Sequence, residues 1–197
     1  MVPNVRVIEK PEWLSWDEIH KVIWQSHSRN RKEGMNMHFP SMSGDEIRNR
    51  IEEGKGKMFV ALDGEKLVGT GALTVKMVDL WCGKGEYAYL CFAAVLPEYN
   101  GQGVYKAMCE LREEESRKMG LDRMMFDSHE NNKKLFGINA KSGFYPVSYK
   151  NYGDHNNVIM VKWLDHCPYS YARCRLEFVK QKATVIARQL FHTILSH

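Results

Sequence analysis

The residues best placed for chemistry lie in Ala93-Ala94-Val95-Leu96-Pro97-Glu98-Tyr99-Asn100-Gly101-Gln102-Gly103-Val104-Tyr105-Lys106. The apolar run from Tyr87 to Leu96 is long enough for a buried strand. Pro97 ends it, because proline cannot donate to a ladder. Gly101 and Gly103 then expose backbone N–H groups where a helix begins. Free amides at the positive end of a helix dipole form an anion site, typically for phosphate. The chemistry implied is capture of a phosphate-bearing cofactor.

Spacing separates the patterns that could explain such a turn. A P-loop needs Gly-x-x-x-x-Gly-Lys-Ser/Thr, and no such run exists in the chain. A dinucleotide fingerprint needs Gly-x-Gly-x-x-Gly, but its third glycine position is Lys106. Asp122 follows at about the right distance, yet no βαβ repeat surrounds it. The third pattern is Arg/Gln-x-x-Gly-x-Gly/Ala, the pyrophosphate loop of the GNAT acetyltransferases. Asn100-Gly101-Gln102-Gly103-Val104-Tyr105 resembles it at the central Gly103 and departs from it at Asn100 and Tyr105.

The elements that must position this turn extend the resemblance. Val104, Met108 and Leu111 recur at helical spacing, with Glu113, Glu114, Glu115, Arg117 and Lys118 toward solvent. Gly120 stands where a C-terminal cap belongs. Arg123 to Asp127 reads as a strand, Asn131 or Asn132 as the N-cap of a short helix to about Ser142, and Phe144 to Val147 as a further strand. This order is similar to the GNAT core over roughly residues 56–164. It implies an α+β, three-layer fold with a mixed, mostly antiparallel sheet flanked by helices. The domain would span residues 1–165, with a helical extension over 166–197.

Toward the N-terminus, Val5 to Ile8 suits a first strand. Ser15 or Asp17 caps a helix carrying Ile19, Val22 and Ile23 inward, and Ser43 with Glu46 forms a capping box before Ile47 and Ile51. Asp63-Gly64 joins two apolar runs as a hairpin. In the C-terminal extension, Leu176, Val179, Ala183, Ile186, Leu190 and Ile194 form an apolar stripe expected to pack on the chain's own domain or on a second copy in a homodimer.

Composition is that of a globular chain: 197 residues, 44% hydrophobic and 26% charged. A formal charge of +4 is too small to argue for nucleic acid and suits an anionic cofactor. Neither a membrane-spanning run nor a signal-peptide apolar region is expected. Five cysteines without Cys-x-x-Cys spacing suit reduced thiols in the cytoplasm, and neither they nor the eight histidines show metal-ligand spacing.

The resemblance implies an acetyl-coenzyme A-dependent N-acetyltransferase. Ala93, Ala94 and Val95 would pair with the pantetheine amides, and Gly101, Gln102, Gly103, Val104, Tyr105 and Lys106 would hold the pyrophosphate. Asn132 matches the family asparagine that touches the cofactor arm. The family's thiolate acid, a tyrosine seven residues further on, falls here on Asn139. Candidates for the missing proton chemistry are Tyr89, Glu86 and His129, with Asp127 at the end of the neighbouring strand and Tyr145 after Gly143-Phe144. The amine acceptor, a small molecule or a peptide, would lie between the loop 29–42, with Met35, Met37 and Phe39, and the segment 149–157, with Tyr149, Tyr152, Asp154 and His155. A non-catalytic acyl-coenzyme A sensor or partner-binding module, and an interaction protein built on the C-terminal helix, are the competing readings.

Overall fold

The computed structural model describes residues 4–35 and 41–195, with side chains to residue 189. In chain order the elements are β1 (Val5–Glu9), α1 (Trp16–Ser26), α2 (Ser28–Lys32), α3 (Gly44–Glu53), β2 (Lys57–Asp63), β3 (Lys66–Leu80) and β4 (Gly83–Val95). There follow α4 (Val104–Lys118), β5 (Arg123–His129), α5 (Lys133–Lys141), β6 (Tyr145–Asn151), β7 (Asn156–Trp163) and α6 (Tyr171–Leu195). One seven-stranded sheet runs β1-β2-β3-β4-β5-β7-β6. Its pairings are antiparallel except for β4 with β5, which is parallel. The mixed, mostly antiparallel sheet with flanking helices is the expected α+β fold.

Local chemistry sets the helices. Ser15 with Glu18, and Ser43 with Glu46, close capping boxes that satisfy the first amides of α1 and α3. Ile19, Val22, Ile23, Ile47 and Ile51 are thereby turned into a cluster with Val60, Val68, Val104 and Met108. Each such side chain contributes about 1.5–3 kcal/mol on burial. A second cluster joins Leu90, Met124, Phe126 and Phe144 to Leu111 of α4 and Phe136 of α5.

Two irregularities of β4 shape the cleft. Thr70 pairs with Ala94 and Ala72 with Cys91, so Phe92 and Ala93 both stand opposite Gly71. This is a β-bulge, with Phe92 at φ 51. The buried Thr70 hydroxyl donates to the Phe92 carbonyl at 2.8 Å and holds the bulge. Thr70→Val keeps the shape and removes that hydrogen bond, so it should cost about 0.5–1.5 kcal/mol, read as a lower urea midpoint at unchanged slope. The second irregularity is a splay. β4 and β5 pair only at Ala88 with Met124 and Tyr89 with Met125, whereas β5 pairs with β7 as far as His129. From Leu90 onward, the β5-facing edge of β4 has no strand partner among the described residues.

Helix α6 packs on its own domain, but not through the expected stripe. Phe178 and Val185 join the second cluster, Gln181 accepts from the Ser148 hydroxyl at 2.5 Å, and Lys182 pairs with Glu130 at 3.5 Å. Leu176, Val179 and Ile186 are 54%, 53% and 38% exposed. The surface beneath α6 is itself mixed, with Ser148 and Glu130 beside Tyr149, so the helix face that answers it carries Gln181 and Lys182 as well as Phe178. The side chains of Leu190 and Ile194 lie outside the described residues.

Candidate active site

After β4 the chain turns through Pro97–Tyr99 and two left-handed glycines, Gly101 at φ 78 and Gly103 at φ 84. Gly103 is the N-cap of α4, which has no side-chain cap. A Cβ at either glycine would meet nothing within 4 Å. Glycine is therefore needed for backbone conformation rather than for want of space. The Gln102 side chain ties the turn by donating to the Glu98 carbonyl at 2.7 Å. Lys106 is exposed, 3.7 Å from Glu110, and the Val104 side chain belongs to the core.

The bulged end of β4 is pinned from α1. His27 Nε2 lies 3.0 Å from the Ala93 carbonyl, which can only accept, so Nε2 carries the proton. Nδ1 then accepts from Asn30 Nδ2 at 2.9 Å. This neutral form is favoured because burial lowers the His27 pKa, with the Arg31 charge adding to it. The unfolded chain therefore binds a proton first, and stability falls as pH drops below about 6.5. We expect the loss, at most about 1.4 kcal/mol per pH unit for one proton, to shrink in His27→Gln, as measured by urea unfolding at pH 7.5 and 5.5.

The two positions that depart from the family pattern meet each other. Tyr105 Oη and the Asn139 side-chain amide lie 3.0–3.1 Å apart in both donor senses, and Asn139 Nδ2 also donates to the Leu135 carbonyl at 2.9 Å. Beneath them lies the fully buried Arg112, its guanidinium 5.9 Å from the Tyr105 ring. Arg112 donates to the Met108 and Ala72 carbonyls at 3.2 and 3.4 Å and to Cys109 Sγ at 3.2 Å. Burial pushes the Tyr105 hydroxyl up to about 12, while Arg112 and Asn139 pull the other way.

A polar cluster occupies the mouth of the splay. Tyr89 on β4 donates to Asp127 Oδ1 on β5 at 2.5 Å. Asn157 Nδ2 on β7 donates to Asp127 Oδ2 at 2.6 Å, and the Tyr152 hydroxyl stands 3.5 Å from the same oxygen. Tyr152, His155 and His129 stack as a ladder, with successive centroids 5.5 Å apart. Burial and then the Asp127 charge hold the Tyr89 hydroxyl well above the usual phenol range, so it stays a donor. The same causes push Tyr152 up to about 12. The His129 pKa is lowered by burial and then by His155.

The other sequence candidates fall elsewhere. Glu86 is exposed and, at an odd spacing from Tyr89, points to the opposite face of β4. Tyr145 packs on Trp163 and Tyr171, and β5 and β7 separate its strand from β4. Tyr149 is buried under α6, edge-on to Phe178, with its hydroxyl on Glu130. Asn132 is the N-cap of α5, and its amide donates to Ser128 Oγ at 3.1 Å. Met35 is buried; Met37 and Phe39 lie outside the described residues. His27, Arg112 and the Asn157 contact carry no sequence signal, because each depends on cross-strand or helix-to-strand proximity. Among the described residues no three His, Cys, Asp or Glu groups could hold a metal ion.

Residues 16–144 match the model of the Acetyltransferase (GNAT) family. No curated protein matches the chain. Among solved structures, an acetyltransferase from Streptococcus agalactiae 2603 shares 20% identity at a TM-score of 0.62, over 81% of this chain and 98% of that one. The PaiA N-acetyltransferase of Thermoplasma acidophilum, in complex with coenzyme A, shares 18% at 0.62, over 81% and 99%. A GNAT family acetyltransferase from Elizabethkingia anophelis with acetyl-CoA bound shares 10% at 0.59, over 81% and 98%.

Proposed function

Because the chain belongs to the acetyltransferase (GNAT) family, we propose that it is an acetyl-coenzyme A-dependent N-acetyltransferase acting by direct transfer to a primary amine. The observation that carries this reading is the β5-facing edge of β4, which from Leu90 has no strand partner among the described residues and ends beside the N-terminus of α4, where no side chain caps the helix. The residues present fit the coenzyme. The N-terminus of α4 has no side-chain cap and suits an anion, and a strand edge can pair with amides of an extended arm. Structural neighbours include proteins solved with coenzyme A or acetyl-CoA. When bound, the coenzyme supplies the acetyl thioester.

In this reading Ala93, Ala94 and Val95 offer backbone groups to the pantetheine arm, and Gly101 to Lys106 hold the pyrophosphate. The Val104 and Tyr105 amides contribute from the first turn of α4, and Asn132 flanks the arm from α5. Such positioning supplies much of the rate by itself. Tyr105 takes the part of the acid missing at position 139: its hydroxyl, held by Asn139, carries a proton for the departing thiol sulfur. Five free cysteines suit a reducing compartment, the cytoplasm; no described helix is long and apolar enough to cross a membrane.

The test is calorimetric titration of acetyl-coenzyme A, with NAD as comparator. Micromolar binding of acetyl-coenzyme A and none of NAD is expected. Absence of binding to either would overturn the reading and leave the exposed face of α6 as the functional surface to explain.

A further inference from the structure

Asp127 and Asn157 form a pair with an unmet need. A carboxylate only accepts, so the Asn157 amide turns its nitrogen to Asp127. Its Oδ1 is then left buried without a hydrogen-bond partner among the described residues. An orphaned buried acceptor costs about 1–3 kcal/mol, and it sits next to a carboxylate that still has lone pairs to fill. A group that only donates and carries positive charge satisfies both at once and also meets the charge of the carboxylate. The surrounding rings favour the same chemistry. Lys76 Nζ stands 4.5 Å from the Tyr89 ring centroid and Lys150 Nζ 4.7 Å from that of Tyr152, so two rings of this cluster already take cations on their faces.

We propose that Asp127 and the Oδ1 of Asn157 are the seat of the acceptor's ammonium group, which enters between Tyr89 and Tyr152. The inference rests on the N-acetyltransferase reading and assigns the residues that hold the acceptor and take its proton. An ammonium of lysine-like basicity, with a pKa near 10.4, must lose a proton before its nitrogen can attack. Asp127 takes that proton: one N–H bond breaks, one O–H bond forms on the carboxyl group, and the positive charge is neutralised in place. The carboxyl group then returns the proton to water. Tyr89 and Asn157, each donating to one carboxylate oxygen, hold Asp127 in position for this transfer.

Asp127→Asn tests the seat because it removes charge and basicity at constant size. Acetyl transfer is measured with n-butylamine and benzylamine, which are cationic at pH 7, and with methoxyamine, which is already neutral. With the cationic amines kcat/KM should fall at least 100-fold, within the usual range for loss of a general base. With methoxyamine it should change less than threefold, and the Kd for coenzyme A should not move. Asn157→Leu should raise KM for n-butylamine about tenfold at unchanged coenzyme affinity. Equal losses on charged and neutral amines, or no loss on n-butylamine, would overturn the proposal. Wild-type protein that binds coenzyme A but acetylates none of these amines would overturn the N-acetyltransferase reading itself, and this assignment with it.

Discussion

Gly103→Glu raises the Kd for coenzyme A at least 100-fold. Two effects add. A carboxylate placed near the pyrophosphate meets like charge, worth about 4 kcal/mol at 4 Å and an effective dielectric constant of 20. The residue must also adopt φ 84, which a side chain enters at a cost of about 1–2 kcal/mol. Had Gly103 held a helical φ, the substitution would have left stability untouched; its left-handed conformation means that it will not. Gly103→Asn separates the two effects, since Asn tolerates this region and carries no charge. It should lower stability slightly and weaken coenzyme binding less than tenfold. Equal affinity of Gly103→Glu and wild type in calorimetry would move the pyrophosphate away from this turn.

Tyr105→Phe lowers kcat about 100-fold with little change in the Kd for coenzyme A. The phenol ring stays on the Arg112 guanidinium, and only the hydroxyl that meets Asn139 is lost. A proton donor contributes typically 10²–10⁴-fold, whereas a lost packing or binding contact would appear in Kd. A loss confined to Kd would make Tyr105 a binding residue alone. Arg112 explains why a phenol pushed up to about 12 by burial remains usable as an acid. A fully buried cation with no ion pair among the described residues favours the phenolate that forms when the proton leaves.

Much of the scaffold was legible in the sequence because its signals are local. The N-cap chemistry at Ser15 and Asp17, the capping box at Ser43, the Asp63-Gly64 hairpin and the turn from Pro97 to Val104 each depend on neighbours within a few residues. The site was legible only in part. Asp127 and His129 stood out as polar residues at a strand end, and Tyr152 and His155 as a polar hairpin tip. Yet nothing local says that Tyr89 reaches Asp127 across the splay, or that Asn157 is turned toward it from β7. Tyr105 and Asn139, 34 residues apart, looked like two separate departures from a pattern until α4 and α5 brought them together. Tyr145, next to Gly143-Phe144 in sequence, lies on β6, which β5 and β7 separate from β4. In α6 the apolar stripe is legible as a pattern, but the face that packs on the chain's own domain is a different one. Burial there is decided by the polar groups of β6 and Glu130, which the helix sequence does not contain.

The central claim is that this chain moves an acetyl group from coenzyme A to an amine. The most direct measurement is release of free thiol from acetyl-coenzyme A with and without n-butylamine, with the acetylated amine identified by mass. Amine-dependent thiol release, matched one for one by N-acetylbutylamine, is the result expected. Micromolar binding of acetyl-coenzyme A with no amine-dependent thiol release would contradict it, and would describe an acyl-coenzyme A sensor on an acetyltransferase fold.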